Sequence, residues 1–256
     1  MSADGAAWAR WLENLGYTVP EPTTLLYTQK SDQIEYEKGG PQPAPLALPR
    51  EHNDTRFMVD SAINYIGQQQ DNWLVHLSLL RPHPPWIAPE PYNAMYSPEK
   101  LQNFERQPDI EMEAEQHPLL NYYLHLPYHF VTEDDKKTAR LKASYFGLMT
   151  EVDDNLGRLF EFLKKTGQWN DTLIIFTSDH GEQMGDHWLL GKMGYFDASY
   201  HIPLIIRDPD QRADKTRNKQ INAFSENIDI MPTLLEWLDL EIPRQCDGVS
   251  LLPIIR

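Results

Sequence analysis

The stretch from residue 172 to residue 192 carries the residue types that could do chemistry. Asp179 and His180 come just after the apolar run 173–177 and are followed by a glycine. An apolar run with an abrupt polar end is typical of a buried strand, and open α/β sheets place their sites beyond the carboxyl ends of strands. A carboxylate and an imidazole that converge there could bind Mn²⁺, Zn²⁺ or Ca²⁺, although the imidazole argues against Ca²⁺.

Two further side chains could act on an anion held at such a site. Lys192 has glycines at 191 and 194, and its ammonium group could hold an anionic ester oxygen. His83 lies between prolines after the apolar run 73–80, which suits a proton donor to a leaving oxygen. Ordinary alternatives remain open: a capping turn at 179–180, a solvated lysine, and a histidine packed in a loop.

Other polar residues are weaker candidates. His187, beside Asp186, could be a second ligand or could orient one, although a surface turn is the commoner outcome for such a pair. Asp153 could support the site from a helix. We expect His76, inside an apolar run, to be a hydrogen-bonded core histidine, and Cys246 to be structural.

The elements that must position these residues follow from hydrophobic periodicity. Helices are predicted where apolar residues recur every three or four positions, at 6–15, 54–67 (with Asp54 as the cap), 138–165 and 225–238. The last contains Pro232, which predicts a kink or restart. Strands are predicted at 73–80, 173–177 and 201–207. The alternation predicts an α/β fold with a mainly parallel sheet flanked by helices.

The remaining sequence predicts long connections within one domain. We expect residues 1–256 to belong to a single domain. Residues 21–49 are polar and rich in proline, and residues 88–130 show weak periodicity, so both are predicted to be loop excursions.

Composition excludes several classes of partner. The formal net charge of -15 argues against nucleic acid and against anionic lipid surfaces. No window approaches the ~18 apolar residues of a membrane span. Cys246 has no second cysteine to pair with, and the N-terminus shows no signal peptide, which together predict a cytoplasmic protein.

The ordered set of motifs resembles the sulfatase branch of the alkaline-phosphatase superfamily, most closely the phosphonate monoester hydrolases and phosphodiesterases. The strings that carry the resemblance are Leu80-Arg-Pro-His-Pro-Pro85, Thr177-Ser-Asp-His-Gly-Glu182, Gly185-Asp-His187, Gly191-Lys192, Ile202-Pro-Leu-Ile205, Ile228-Asp-Ile-Met-Pro-Thr233 and Asp247-Gly-Val-Ser-Leu-Leu-Pro253. Any one of them is weak evidence, whereas the ordered set is specific.

The resemblance implies hydrolysis of small anionic esters of phosphate, phosphonate or sulfate. It implies that Asp179 and His180 bind one divalent metal ion, Mn²⁺ or Ca²⁺ with Zn²⁺ as a third option. It also implies that His83 and Lys192 contact the transferred group or the leaving oxygen.

The chain departs from the family pattern at the nucleophile. Relatives attack with a formylglycine made from cysteine in Cys-x-Pro-x-Arg or Cys-x-Ala-x-Arg, or with a serine or threonine, and take two more metal ligands from an N-terminal strand. Here no Cys, Ser or Thr begins such a string. The resemblance therefore implies that residues 1–256 are a partial catalytic domain, incomplete at its N-terminus. We therefore expect the isolated chain to turn over little or no substrate, and to self-associate, with a homo-oligomer as one outcome. The alternative is a non-catalytic module that binds an anion, a metal or a protein, for which the aromatic residues of 92–130 would be suited.

Overall fold

The computed structural model describes residues 5–28, 44–126, 131 and 133–256. The α-helices are α1 (Gly5–Asn14), α2 (Asp54–Gly67), α3 (Ile110–Ala114), α4 (Pro118–Leu124), α5 (Asp135–Lys165), α6 (Asp197–Tyr200), α7 (Ile230–Trp237) and α8 (Leu252–Ile255). The strands are β1 (Ile174–Thr177) and β2 (Leu204–Arg207). Short 3-10 helices occur at Thr23–Leu26, Arg50–His52, Tyr92–Ala94, Pro98–Lys100, Gln168–Asp171, Asp186–Trp188, Gln211–Ala213 and Asn227–Asp229.

Helix α1 forms one side of an N-terminal core. Trp8 and Leu12 are buried one turn apart on the same face, as the helical spacing predicts. They pack with apolar residues that follow the helix, namely Leu26, Tyr27, Leu46, Leu48 and Ile87. The Trp8 indole also donates a hydrogen bond to the carbonyl of His52, which ties α1 to the turn before α2.

Helices α2 and α5 pack together and match their predicted extents closely. Asn53 caps α2 by accepting a hydrogen bond from the amide of Asp54, so the prediction that Asp54 itself caps the helix is wrong by one residue. The buried residues of α5 are mostly small or polar, but they include two leucines: Thr138, Ala139, Arg140, Ala143, Ser144, Gly147, Leu148, Glu151, Asn155 and Leu163. The leucine-rich face that predicted the helix is only partly buried at Leu141, Leu156 and Leu159.

The strands β1 and β2 pair antiparallel, with Phe176 opposite Ile205 and Thr177 opposite Leu204. For this pair the prediction of parallel strands is wrong. A parallel crossover needs a long helix that returns the chain to the other end of the sheet. Between β1 and β2 the chain instead makes turns and the short helix α6, and re-enters the sheet at the end where it left.

The strand predicted at 73–80 is not formed, because these residues pair with neither strand of the described chain. Side chains along the segment alternate between partly buried and exposed, which is the period of a strand. His76 points to the exposed side, so the prediction of a core histidine is wrong. Leu74 and Leu80 share that exposed side, at 63% and 50% exposure.

The helix predicted at 225–238 is divided into the 3-10 turn Asn227–Asp229 and α7, which begins two residues before Pro232. Glu226 and Asp229 form a reciprocal capping box at its start. Pro232 lies in the first turn of α7, where an amide hydrogen would have no helical partner.

Parts of the predicted excursions, residues 29–43 and 127–130, lie outside the described residues. Within 88–126, α3, α4 and two 3-10 turns occur, and Tyr92 packs with Ala88 and Leu148 in a small core. Among the helices that the structure describes, none has the length and apolar character needed to cross a membrane.

Candidate functional site

The end of β1 is fixed by a side chain from the C-terminal part of the chain. Asn227 donates to the carbonyl of Ser178 at 3.0 Å and contacts the Thr177 hydroxyl at 3.2 Å. The Ser178 hydroxyl donates to the carbonyl of His180 at 2.7 Å, which closes the turn. These bonds set the direction in which residues 179 and 180 leave the strand.

Asp179 and His180 converge at this turn. The Asp179 Oδ2 atom lies 3.5 Å from the His180 Nε2 atom, and the Asp179 carboxylate is 86% exposed. The Nδ1 atom of His180 donates to the carbonyl of Gly181 at 2.7 Å. A ring nitrogen that donates to a carbonyl carries the hydrogen, so in the neutral ring the lone pair is on Nε2.

Lys192 completes a three-residue contact group with these two residues. Its Nζ atom lies 2.7 Å from the His180 Nε2 atom. The structure thus brings together three of the four residues proposed from sequence, and Lys192 lies twelve positions after His180 in the chain. We refer to Asp179, His180 and Lys192 as the 179–192 group.

Glu182 closes the loop that carries Lys192. Its carboxylate accepts hydrogen bonds from the backbone amides of Gly191 and Met184. Burial raises the pKa of Glu182, while the two amides act in the opposite direction. The buried Gln183 adds bonds from its amide to the carbonyl of Gly191 and from its side chain to Ser199.

Gly181 is required by close packing at the start of the same loop. Its amide donates to the carbonyl of Ser199 at 2.8 Å, and the next amide donates to Ala198 at 3.0 Å. A Cβ atom at position 181 would overlap the Ala198 carbonyl oxygen. The glycine of the Asp-His-Gly string therefore permits the approach of α6.

A second layer of contacts, from residues 105–113, holds the turn 186–188. The His187 amide donates to the carbonyl of Glu105, and the Asp186 carboxylate accepts from the Glu105 amide. The His187 Nδ1 atom donates to the buried carboxylate of Glu113 at 2.9 Å. The ring also stacks on Phe196 with 3.6 Å between centroids. We call these contacts the 105–113 clamp.

In the 105–113 clamp, His187 is a partly buried residue that is held by its neighbours, whereas the sequence left both a ligand and a surface turn open. Its ring nitrogen Nδ1 is occupied by Glu113, and the side chain is only 17% exposed. His187 also adopts a positive φ of 54°, an uncommon conformation for this residue type. Sequence gave no signal for Glu113, because it lies in a polar stretch with weak periodicity.

His83 lies at the exposed tip of the loop that follows residues 72–80. Its Nδ1 atom donates to the carbonyl of Pro84 at 2.8 Å. In the described part of the chain, neither a hydrogen bond nor an ion pair joins His83 to the 179–192 group. The structure therefore does not bring this fourth residue into direct contact with the other three.

The buried Arg81 side chain holds the backbone of the loop that carries His83. It is fully buried and donates from Nη1 to the carbonyls of His83 and Pro85, at 2.9 and 3.0 Å. The guanidinium group also stacks over the Tyr27 ring at 3.9 Å and lies 3.7 Å from the Asp54 carboxylate. Arg81 is part of the family motif at 80–85, but no role was predicted for it from the sequence.

The donors of the 179–192 group suit part of a divalent metal site. The Nε2 lone pair of His180 and the exposed carboxylate of Asp179 are a nitrogen and an oxygen ligand on adjacent residues. Within the described ranges, no cluster of three or more His, Cys, Asp or Glu side chains could hold a metal ion. These two residues could thus supply half of a four-ligand set.

A separate open cleft of about 580 Å³ lies beside the clamp. Its lining residues include Phe104, Arg106, Asp109, Glu133 and Trp188. The Arg106 guanidinium stacks on Trp188 and forms an ion pair with Asp135. None of the four residues proposed from sequence lines this cleft.

Comparison with known proteins decides the family. The model of the sulfatase family matches residues 10–240. The chain belongs to the sulfatase family. This confirms the family predicted from the motifs, and with it the alkaline-phosphatase/sulfatase fold class.

Relatives of this sulfatase-family chain include phosphonate monoester hydrolases. It is 42% identical to the multifunctional alkaline phosphatase superfamily protein PehA of Trinickia caryophylli, over 96% of the chain and 49% of PehA. The phosphonate monoester hydrolase of Agrobacterium radiobacter superposes with a TM-score of 0.85 at 36% identity, over 100% of this chain and 51% of that one. SpPMH from Silicibacter pomeroyi gives 0.81 at 38% identity, over 97% and 49%. The chain spans about half the length of these relatives.

Proposed function

We propose that this chain supplies part of the active site of a metal-dependent hydrolase acting on small anionic esters of phosphonate, phosphate or sulfate. The observation that carries the proposal is the 179–192 group, in which a carboxylate, an imidazole and an ammonium group meet at the end of β1. Family membership and the similarity to phosphonate monoester hydrolases support the same reaction class.

Asp179 and His180 would hold the divalent ion, which when bound would supply Lewis-acid stabilisation of negative charge on the ester oxygens. Lys192 would place a positive charge on the same oxygens. His83 has its Nδ1 hydrogen directed to Pro84, so Nε2 is the atom that could carry a proton to the leaving oxygen. Glu182 and Arg81 would position Lys192 and His83 through their backbones.

We further propose that the chain by itself has little or no hydrolytic activity. Cys246 is partly buried and is not followed by the family's nucleophile string. Removal of a nucleophile can lower kcat by roughly 10⁶-fold. Purified chain should therefore show no Mn²⁺-, Ca²⁺- or Zn²⁺-dependent hydrolysis of an aryl phosphonate monoester, an aryl phosphodiester or an aryl sulfate. Measurable metal-dependent turnover would contradict this part of the proposal.

A chimera tests the roles of the residues. This chain would replace the matched region of Trinickia caryophylli PehA, since the matched regions are 42% identical. We expect the chimera to hydrolyse at least one of the three esters, and Asp179→Asn, His180→Gln and Lys192→Met each to lower kcat/KM by 10²-fold or more, the range for lost charge stabilisation.

His83 has a matched control in the same chimera. His83→Gln should lower activity most for substrates with poor leaving groups, because these need protonation most. His76→Gln, at another exposed histidine on the preceding segment, should leave activity unchanged. A folded chimera without activity on any of the three esters would favour the alternative, a module that binds anions, metals or a protein without catalysis. The predicted cytoplasmic location stays a prediction.

A further inference from the structure

The Lys192 side chain occupies the ring nitrogen of His180 that the backbone leaves open. His180 donates from Nδ1 to the carbonyl of Gly181, so a neutral ring has its lone pair on Nε2. The Lys192 Nζ atom lies 2.7 Å from this Nε2 atom.

That lone pair is also the one His180 would offer to a metal ion. A metal bound to imidazole lies about 2 Å from the nitrogen, along the lone pair. The Lys192 Nζ atom lies 2.7 Å from the same nitrogen, which leaves no room for a metal ion between them. His180 can therefore accept either the ammonium or the metal, but not both.

The backbone on both sides of Lys192 is held while its side chain is exposed. Gly191 donates to Glu182, and the carbonyl of Met193 accepts from the side chain of Gln183. Loss of the His180 contact would therefore release the flexible lysine side chain without unfolding the loop.

We propose that Lys192 acts as a built-in placeholder at the metal position of His180, and that a divalent ion must displace it to bind. Once displaced, the ammonium group is free to hold an anionic oxygen, so metal entry and anion binding favour each other. This inference rests on the proposed metal site, and deepens it by giving Lys192 a second role.

The test is Mn²⁺ binding to the purified chain, measured by electron paramagnetic resonance of free Mn²⁺. Lys192→Met keeps much of the side-chain length but cannot donate, and should bind Mn²⁺ roughly 3- to 12-fold more tightly, the net contribution of one ordinary hydrogen bond. Lys192→Gln serves as a second substitution. Lys165→Met, at an exposed lysine on α5, is the control for charge and should leave the affinity unchanged.

Measurements at two salt concentrations distinguish displacement of Lys192 by the metal from long-range repulsion between the lysine and Mn²⁺. The Debye length falls from about 10 Å at 0.1 M to about 3 Å at 1 M salt. A gain that comes from removing a direct hydrogen bond should persist at 1 M, whereas a gain from long-range repulsion should disappear. Nitrogen-15 spectra of the metal-free chain give a direct readout, because Lys192→Met should shift the Nε2 resonance of His180 and leave those of other histidines in place.

The outcomes distinguish this inference from the proposed function. Equal or weaker Mn²⁺ binding by Lys192→Met, or a gain in affinity that is lost at 1 M salt, would overturn the inference. The proposed metal site would still be supported in that case if His180→Gln abolished Mn²⁺ binding. Binding that is unaffected by His180→Gln would overturn the metal site and the inference together.

Discussion

Four buried polar residues, Asn53, Asp54, Arg81 and Glu151, meet between α2, α5 and the loop of His83. The Asn53 side chain donates to Glu151 at 2.8 Å, and Arg81 lies 3.7 Å from Asp54. One oxygen of Glu151 and one of Asp54 have no hydrogen-bond partner. Burial raises the pKa of Glu151 to about 7, and the nearby Asp54 carboxylate acts in the same direction.

This pKa predicts how stability depends on pH. Because the pKa of Glu151 is about 7 when folded and 4.5 when unfolded, the folded chain binds more protons between these values. Glu151 therefore stabilises fully below about pH 4.5, and its contribution is lost as the pH rises through 7. Relative to wild type, Glu151→Gln should gain stability over this window, by roughly 3 kcal/mol in total. Urea unfolding at pH 5 and pH 8 measures the difference.

The control for this prediction is Glu115→Gln, at an exposed glutamate that follows α3 and lies outside this cluster. Its difference from wild type should be the same at both pH values. A difference for Glu151→Gln that does not grow with pH would show that Glu151 is ionised without penalty in the folded chain.

At the residue scale, the sequence predicted the three residues of the 179–192 group but not the residues that fix the loops around them. Asp179, His180 and Lys192 are close in sequence and follow a strand, so their spacing alone suggested a shared site. Arg81 and Glu113 act through contacts with residues far along the chain or through backbone carbonyls. No periodicity or local spacing reports such contacts, and they are visible only in the folded chain.

Among the elements, helix α5 shows why its extent was predictable and its packing was not. Its periodic leucines gave the helix bounds within three residues at the start and correctly at the end. Its buried residues, however, include Ser144, Gly147 and Glu151 as well as Leu148 and Leu163. Strand direction was likewise hidden, because an apolar run reads the same in parallel and antiparallel pairs.

Two glycines on α5 test this view of the helix. A Cβ atom at Gly147 would overlap the carbonyl oxygen of Tyr92, whereas one at Gly157 meets nothing within 4 Å. Gly147→Ala should therefore lower the free energy of unfolding by about 1–3 kcal/mol, as overpacked substitutions do. Gly157→Ala should raise it by up to about 1 kcal/mol, because alanine is the better helix former. Thermal unfolding of the two variants against wild type gives both values, and a stabilising Gly147→Ala would contradict the close contact.

For the whole molecule, apolar side chains remain uncovered on the strands and the C-terminal third. Phe176 and Ile205, opposite each other across β1 and β2, are 36% and 63% exposed, and Phe224 is fully exposed. Large exposed apolar surface favours association, while the net charge of -15 opposes it.

We therefore predict that the isolated chain self-associates, and more strongly at high salt, where charge repulsion is screened. Sedimentation velocity across a concentration series at 0.05 and 0.5 M salt measures this. The double substitution Ile205→Lys and Phe224→Ser should shift the distribution toward monomer. Asp71→Lys, a charge change on an exposed polar residue, controls for charge alone. A sharp monomer boundary at high concentration in both salts would count against the prediction.

The 105–113 clamp bears on how damaged gene copies should be recognised. A motif search reads only the short string around Asp179 and Lys192 and would accept a copy whose acid at position 113 had mutated. In such a copy the turn at His187, which lies between Asp179 and Lys192 in the chain, would lose its buried carboxylate partner. An intact motif around Asp179 and Lys192 is therefore weaker evidence for an intact site than the same motif together with Glu113.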